Sequence, residues 1–121
     1  MAKLLQGIRV LDLTNVLSGP FATLHLSLLG AEVIKIENPI DGDLARKLGN
    51  VQELNDKLMG TSFLAQNANK KSVTLNLKEN EAKEIFLKLV KTADVAVENF
   101  RPDVMTRLGL SYQKLKEVNP K

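Results

Sequence analysis

The residues of this chain that could do chemistry are cations and amides set in loops, without a recognisable nucleophile–base pair. Asn67–Lys71 (NANKK) places two amides and two ammonium groups together. Such groups bind phosphate, lysine acting as a point charge, although an isolated Lys pair is ordinarily a solvated loop. Lys78, Arg101 and Arg107 are further cations of the same kind. Val16–Pro20 (VLSGP) is a small loop running into a helix start, where free N–H groups and the positive dipole end suit an anion. With one glycine it lacks the G-x-G-x-x-G of a dinucleotide fingerprint, and read alone it is a plain strand-to-helix turn. Glu37 stands where a dinucleotide fold places its ribose-binding acid, or is an ordinary strand-end charge. His25 lies among leucines and reads as a packed or partly exposed helix residue. Asp12, Asp41, Asp43, Asp94 and Asp103 are scattered, and none is nominated as a nucleophile.

Composition narrows the classes. The chain has 121 residues, 44% hydrophobic and 26% charged, with a formal net charge of +3. These values describe one globular domain rather than a disordered segment. The mild basic excess suits a small anionic ligand. Acids and bases are mixed along the chain, which is not the clustered pattern of a nucleic-acid binder. There is no Cys and a single His, so disulfides, thiolate sites and multi-histidine metal sites are excluded. The N-terminus has no signal-peptide pattern and no apolar run is long enough to span a bilayer, so the expected location is cytoplasmic, without membrane or nucleic-acid partners.

The elements that must position these residues alternate. Ile8–Leu13 reads as a buried strand. Pro20–Leu29 reads as a helix from Pro20 at its start and Gly30 past its end, despite the strand-like alternation of Leu24, Leu26 and Leu28. Glu32–Ile36 is a second strand, giving a parallel β-α-β unit. Asn38–Asp43 is a turn cluster. Leu44–Met59 reads as irregular with a short helix near Glu53–Leu58, and Ser62–Gln66 as a short extended or helical piece. Ser72–Leu77 alternates Val73, Leu75 and Leu77 as a strand. Lys78–Thr92 is the clearest helix, with Ala82, Ile85, Phe86, Leu89 and Val90 on one stripe. Ala93–Val97 is the fourth strand; Asp103–Leu108 and Ser111–Val118 are helices, Ser111 an N-cap. The expected fold class is α/β: a Rossmann-like open parallel sheet with helices on both faces. Ligands of such sheets sit outside the carboxyl ends of the strands, which points at Val16–Gly19, Asn38–Asp43 and Glu98–Arg101. The chain stops after a helix, where a parallel sheet would continue into a strand, so a fragment is expected.

Three blocks in order and spacing, GIRVLDLTNVLSGPFATLHLSLLGAEVIKIENPIDGD, NANKKSVTLNLK and ADVAVENFRPDVMTRLGL, resemble the opening of the CaiB/BaiF family, the class III CoA-transferases. The resemblance runs from Gly7 to Pro120. It implies that residues 1–121 are the N-terminal part of a Rossmann-like, CoA-binding domain in a larger fold. The family includes formyl-CoA transferases, carnitine CoA-transferases and α-methylacyl-CoA racemases. Its transferases move CoA between carboxylic acids through a catalytic Asp that forms a mixed anhydride and then a thioester. That Asp lies downstream of this region, so no catalytic residue is expected here and the segment alone should be inactive. A racemase, or a non-catalytic CoA- or nucleotide-binding module, is the alternative.

What the resemblance implies for this segment is contact with coenzyme A or an acyl-CoA, with no metal. Val16, Leu17 and Ser18 would line the CoA site. Leu75 and Lys78 would lie at the adenosine end, and Asn99, Phe100, Arg107 and Leu108 along the cofactor. Asn38 stands where formyl-CoA transferases often carry Arg, and Asp103 where Gly is common. Gly42, Asp43 and Arg46 match a GDxxR-like element at the site's rim. The implied partners are an acyl-CoA, a carboxylate and a second subunit in an interlocked homodimer.

Overall fold

A computed structural model describes residues 2–121. Its four strands are β1 (Arg9–Asp12), β2 (Glu32–Glu37), β3 (Lys71–Thr74) and β4 (Val95–Val97). All pair in parallel, in the order β3-β2-β1-β4. The helices are α1 (Ser18–Leu28), α2 (Gln52–Asp56), α3 (Thr61–Gln66), α4 (Asn80–Val90), α5 (Val104–Arg107) and α6 (Tyr112–Val118), with a 3₁₀ turn at Leu44–Lys47. This is the expected α/β class. Among the described residues no helix is long and apolar enough to cross a membrane.

Alternation along the strands sends side chains to two unlike faces. Leu11, Leu13, Ile34 and Ile36 join Phe86 and Val90 of α4 and Leu110 in the larger apolar cluster. The stripe on α4 buries Ala82, Phe86 and Val90 as expected, while Ile85 sits at its margin, 47% exposed. Ser111 caps α6 through its side chain, 3.3 Å from the Lys114 N–H.

The opposite face begins apolar, with Val10, Ala31 and Val33 packed by Leu26, Leu5 and Ile8, and then turns charged. Asp12 pairs in register with Lys35. Both are buried, as are Asp43 and the side chain of Lys70. Lys70 Nζ lies 2.9 Å from Asp12 Oδ2 and Lys35 Nζ lies 2.9 Å from Asp43 Oδ2. The Lys35 contact is an ion pair without hydrogen-bond alignment. Its ammonium donates instead to the Thr14 carbonyl at 2.7 Å, and Asp43 Oδ2 accepts no hydrogen bond. Two acids and two ammonium groups thus cancel inside the protein.

This set explains α1. The helix buries Gly19, Pro20, Thr23 and Ser27 and leaves Leu17, Phe21 and Leu28 largely exposed, the reverse of ordinary amphipathic packing. Small and hydroxylated residues face the sheet because charge lies beneath them. Thr23 Oγ1 donates to Asp12 Oδ2 at 2.6 Å. A Cβ at Gly19 would collide with the Thr14 side chain, so glycine is what lets the helix start close above β1. The helix begins two residues before Pro20. Proline is tolerated there because the first-turn N–H groups have no partner within the helix.

Two other boundaries differ from expectation. Strand β3 spans Lys71–Thr74 rather than Ser72–Leu77. After the Leu75 N–H bonds the Glu37 carbonyl at 2.9 Å, the chain leaves the sheet and packs Leu75 and Leu77 against the apolar cluster. Helix α2 starts at Gln52 and ends by Asp56, before Leu58 turns left-handed at φ 58°.

Removing one member of the buried set leaves an uncompensated charge. Lys70→Met should lower the unfolding free energy by about 3 kcal/mol, the usual cost of breaking a buried pair from one side. Urea denaturation at neutral pH checks this, and a loss below about 1 kcal/mol would show that the set is not a stabilising centre.

Candidate functional site

The loops following β1, β2, β3 and β4 meet at the carboxyl ends of the strands and enclose a groove in two joined parts. One part, about 230 Å³, is lined by residues including Asn38, Gly42, Leu75, Lys78, Phe100 and Leu108. The other, about 370 Å³, is lined by Asn15, Val16, Leu17, Ser18, Asn99 and Phe100. Asn15 and Phe100 belong to both. Nine of the ten site residues expected from sequence therefore share one groove although they come from four separate segments. Arg107 lines neither part; it ends α5 on the exposed surface beside Leu108.

Both parts of the groove mix polar and apolar lining. In the first part Lys78, Asn76 and Asn38 stand beside Leu13, Ile36, Leu75 and Leu77. Lys78 is exposed and makes no ion pair among the described residues. Its charge is available to a ligand. In the second part Val16, Leu17 and Phe100 bring apolar surface, with Asn15, Ser18 and Asn99 among them.

Arg101 and Arg107 are exposed, but the two lysines of the NANKK segment are already committed. The Lys70 ammonium is ringed by Asp12 Oδ2, Thr23 Oγ1, Asn67 Oδ1 and the Pro20 carbonyl at 2.7–3.0 Å. Lys71 pairs with Glu32 at 2.7 Å. The NANKK segment is thus neither a phosphate loop nor a merely solvated one, because the charge of Lys70 is spent inside the fold. Burial pulls the Lys70 pKa down, against the opposing pull of Asp12. For Asp12, burial alone would raise the pKa. The Lys35 charge and hydrogen bonds from Thr14, Thr23 and Lys70 outweigh it, and the carboxyl is held below its usual range. His25 is exposed on α1, its Nδ1 2.8 Å from the Phe21 carbonyl and its ring 4.4 Å from that of Phe21.

Glu37 is occupied as well. Arg46 grips it in a fork, Nε to Oε1 and Nη2 to Oε2, both 2.8 Å. The Asp43 N–H donates to Oε1 at 3.0 Å, and Ser72 donates to Oε2. Arg46 also lies 3.7 Å over the Phe63 ring. A ribose hydroxyl would have to displace these contacts, so Glu37 is a wall of the groove rather than a ribose ligand. Gly42 (φ 64°) completes the wall. A Cβ there would stand 2.9 Å from Arg46 Cδ and 3.0 Å from Glu37 Oε1, which gives the GDxxR-like spacing its physical reason.

Sequence reasoning missed what holds the groove's first loop. Asp43 Oδ1 accepts from the Val16 N–H at 2.9 Å and from the Ala45 N–H at 2.9 Å. Asn99 pairs with the backbone of Asn15 in both directions, each bond 2.9 Å. With its amide nitrogen turned inward, Gln66 donates to the carbonyls of Val16 and Leu17 at 3.0 and 3.1 Å. Val16 itself is left-handed at φ 70°. Nothing in the residue types announces these bonds, since an Asp, an Asn and a Gln far apart in sequence converge only in the fold. Asp103 is left-handed too, at φ 66°. Glycine reaches that region freely and Asp tolerates it, so the departure from glycine at this position is conformationally coherent.

Residues 5–121 match the profile of CoA-transferase family III. The chain belongs to that family. It is 45% identical over 121 residues to a formyl-CoA:oxalate CoA-transferase of Rhodopseudomonas palustris strain TIE-1, covering all of this chain and 28% of the relative. It is 47% identical over 120 residues to one of Streptomyces coelicolor, covering 99% and 28%. Among solved structures it superposes on Rv3272 of Mycobacterium tuberculosis with a TM-score of 0.88 at 46% identity, covering 99% of this chain and 32% of that one. A CaiB/BaiF family protein of Brucella suis gives 0.87 at 34% identity, covering 98% and 32%. The chain spans under a third of the length of these relatives and corresponds to their N-terminal part.

Acid should loosen the groove wall. Burial alone would raise the Glu37 pKa, but hydrogen bonds from Arg46, Ser72 and the Asp43 N–H bring it from the usual 4.5 to about 2. A depressed carboxyl stabilises the fold above its unfolded pKa, and the contribution fades as pH falls through 4.5 towards 2. The expected size is about 3 kcal/mol. Denaturation of wild type and Glu37→Gln between pH 7 and pH 2 tests this. The variant should be less stable at pH 7 and lose less on acidification, and parallel pH profiles would refute the assignment.

Proposed function

We propose that this segment is the coenzyme-A-binding part of a class III CoA-transferase. The whole protein moves CoA between an acyl-CoA and a carboxylic acid through a carboxylate nucleophile that lies downstream. The observation that carries this reading is the groove itself. Four separate segments converge at the carboxyl ends of a parallel sheet, and the groove they form sets a lysine without an ion pair among the described residues beside continuous apolar surface.

Coenzyme A has matching parts. Its phosphorylated adenosine end is strongly anionic, and Lys78 supplies the available positive charge, with Asn38 and Asn76 as polar partners. Leu75, Leu108 and Phe100 offer apolar cover to the adenine or the pantetheine arm. Val16, Leu17 and Ser18 would then meet the arm towards its thiol. In this placement the thioester lies beside the first loop, and the residues of this segment bind and orient while the covalent exchange of carboxylate for thiolate uses the downstream acid. Asn99 joins the site through its loop, and Arg107 adds long-range charge from its rim.

The names of the relatives cited above identify formyl-CoA and oxalate as the first donor and acceptor to assay on the complete protein. The segment by itself is expected to be inactive, and the complete protein to be a cytoplasmic, interlocked homodimer.

Titrating CoA into the 121-residue chain by calorimetry tests the binding role. One saturable site is expected, weakened about tenfold by Lys78→Ala, the scale of one charge-assisted contact. Absence of saturable binding, or an affinity indifferent to Lys78→Ala, would overturn the placement.

A further inference from the structure

Four non-glycine residues are left-handed among those described, and Val16 is the β-branched one. A branched Cβ at φ 70° clashes with its own backbone, a strain on the order of 1–3 kcal/mol that persists only where the surroundings over-determine it. The surroundings of Val16 do so in a specific way. The peptide group between Asn15 and Val16 is held at both ends. Its carbonyl accepts from Asn99 Nδ2 at 2.9 Å. Its N–H donates to Asp43 Oδ1 at 2.9 Å. The preceding N–H, that of Asn15, donates to Asn99 Oδ1 at 2.9 Å. Together these bonds fix the plane of the peptide that sets φ of Val16.

The two clamping side chains come from different loops and differ in setting. Asp43 is fully buried, anchored by Lys35 and by its bond to the Ala45 N–H. Asn99 is exposed at the end of β4. Although Asn99 lines the groove, both polar atoms of its amide are turned onto the backbone of Asn15.

We propose that Asn99 and Asp43 are positioning residues that clamp the Asn15–Val16 peptide, hold Val16 left-handed, and act on coenzyme A only through the loop they shape. This assigns Asn99 a role different from the direct cofactor contact implied by family resemblance, and it rests on the CoA placement proposed above. Loss of either clamp releases the strain, Val16 relaxes to an extended conformation, and the part of the groove lined by the first loop changes shape.

The test uses Asn99→Ala, Val16→Gly and the double variant, with two readouts. Asn99 is exposed, so its truncation leaves the core intact. In amide hydrogen exchange, Asn99→Ala should lower protection of the Val16 N–H at least tenfold, although the acceptor of that N–H is Asp43 and is untouched. In CoA titration, Asn99→Ala should cost about tenfold in the wild-type background. In the Val16→Gly background it should cost threefold or less, because glycine adopts φ near +70° without a clamp. Unchanged protection of Val16 overturns the clamp. An equal affinity loss in both backgrounds overturns it as well and restores Asn99 as a direct contact. If wild type does not bind CoA, the ligand assignment fails, and the exchange measurement still decides the clamp.

Discussion

Two aspartates and two lysines lie beneath α1 with their charges cancelled, and most of the local architecture follows from keeping them so. An isolated charge inside a protein is expensive, and each of the four is tolerable here because it has a partner. Asp12 sits in the middle of a parallel sheet, where an aliphatic residue is the rule. It is met across the sheet by Lys35 and from above by Lys70. Asp43 completes the balance. The helix over this set must bring hydroxyls and near-bare backbone rather than leucine, which is why α1 turns Gly19, Thr23 and Ser27 inward.

The same charges reach the groove. Asp43 is both the counter-charge of Lys35 and the acceptor for the Val16 N–H. Its own N–H is held by Glu37, which Arg46 grips in turn. Lys35 also bonds the carbonyl of Thr14, at the root of the first loop. Core electrostatics and loop geometry are thus one connected set of bonds. The apolar face, built by Phe86, Leu11 and their neighbours, supplies hydrophobic stabilisation and packs the groove residues Leu75, Phe100 and Leu108. The hydrogen bonds that hold the first loop come from the polar face.

Much of the fold was legible. Aliphatic strands, Pro20 and Gly30 around a helix, the stripe on α4 and the cap at Ser111 are local signals, and each marks a real element. Errors fell where a tertiary contact overrides a local one. The alternation of Val73, Leu75 and Leu77 reads as one strand, yet β3 stops at Thr74 because Leu75 and Leu77 find a better burial over the core. The NANKK segment reads as a basic loop, yet Lys70 is drawn inward by Asp12, 58 residues earlier in the chain. Of the nine candidate residues in the groove, Lys78 and the loop carrying Val16, Leu17 and Ser18 stand out by chemistry, whereas Leu75 and Leu108 are named only by resemblance to a family; residue types alone do not single out Leu75 or Phe100.

The sequence by itself determined an alternating α/β chain, the loops at the strand ends and membership of a CoA-transferase family, because hydrophobic period, turn residues and motif order are written locally. Only the tertiary structure decided which charges are spent inside and which remain for a ligand. Lys70 and Lys78 are the same residue type eight positions apart, one sealed against Asp12 and one facing the groove. The left-handed Val16 is of the same origin. Its conformation is set by Asp43 and Asn99, which are remote in sequence, and a strained backbone angle has no signature in the residue that carries it.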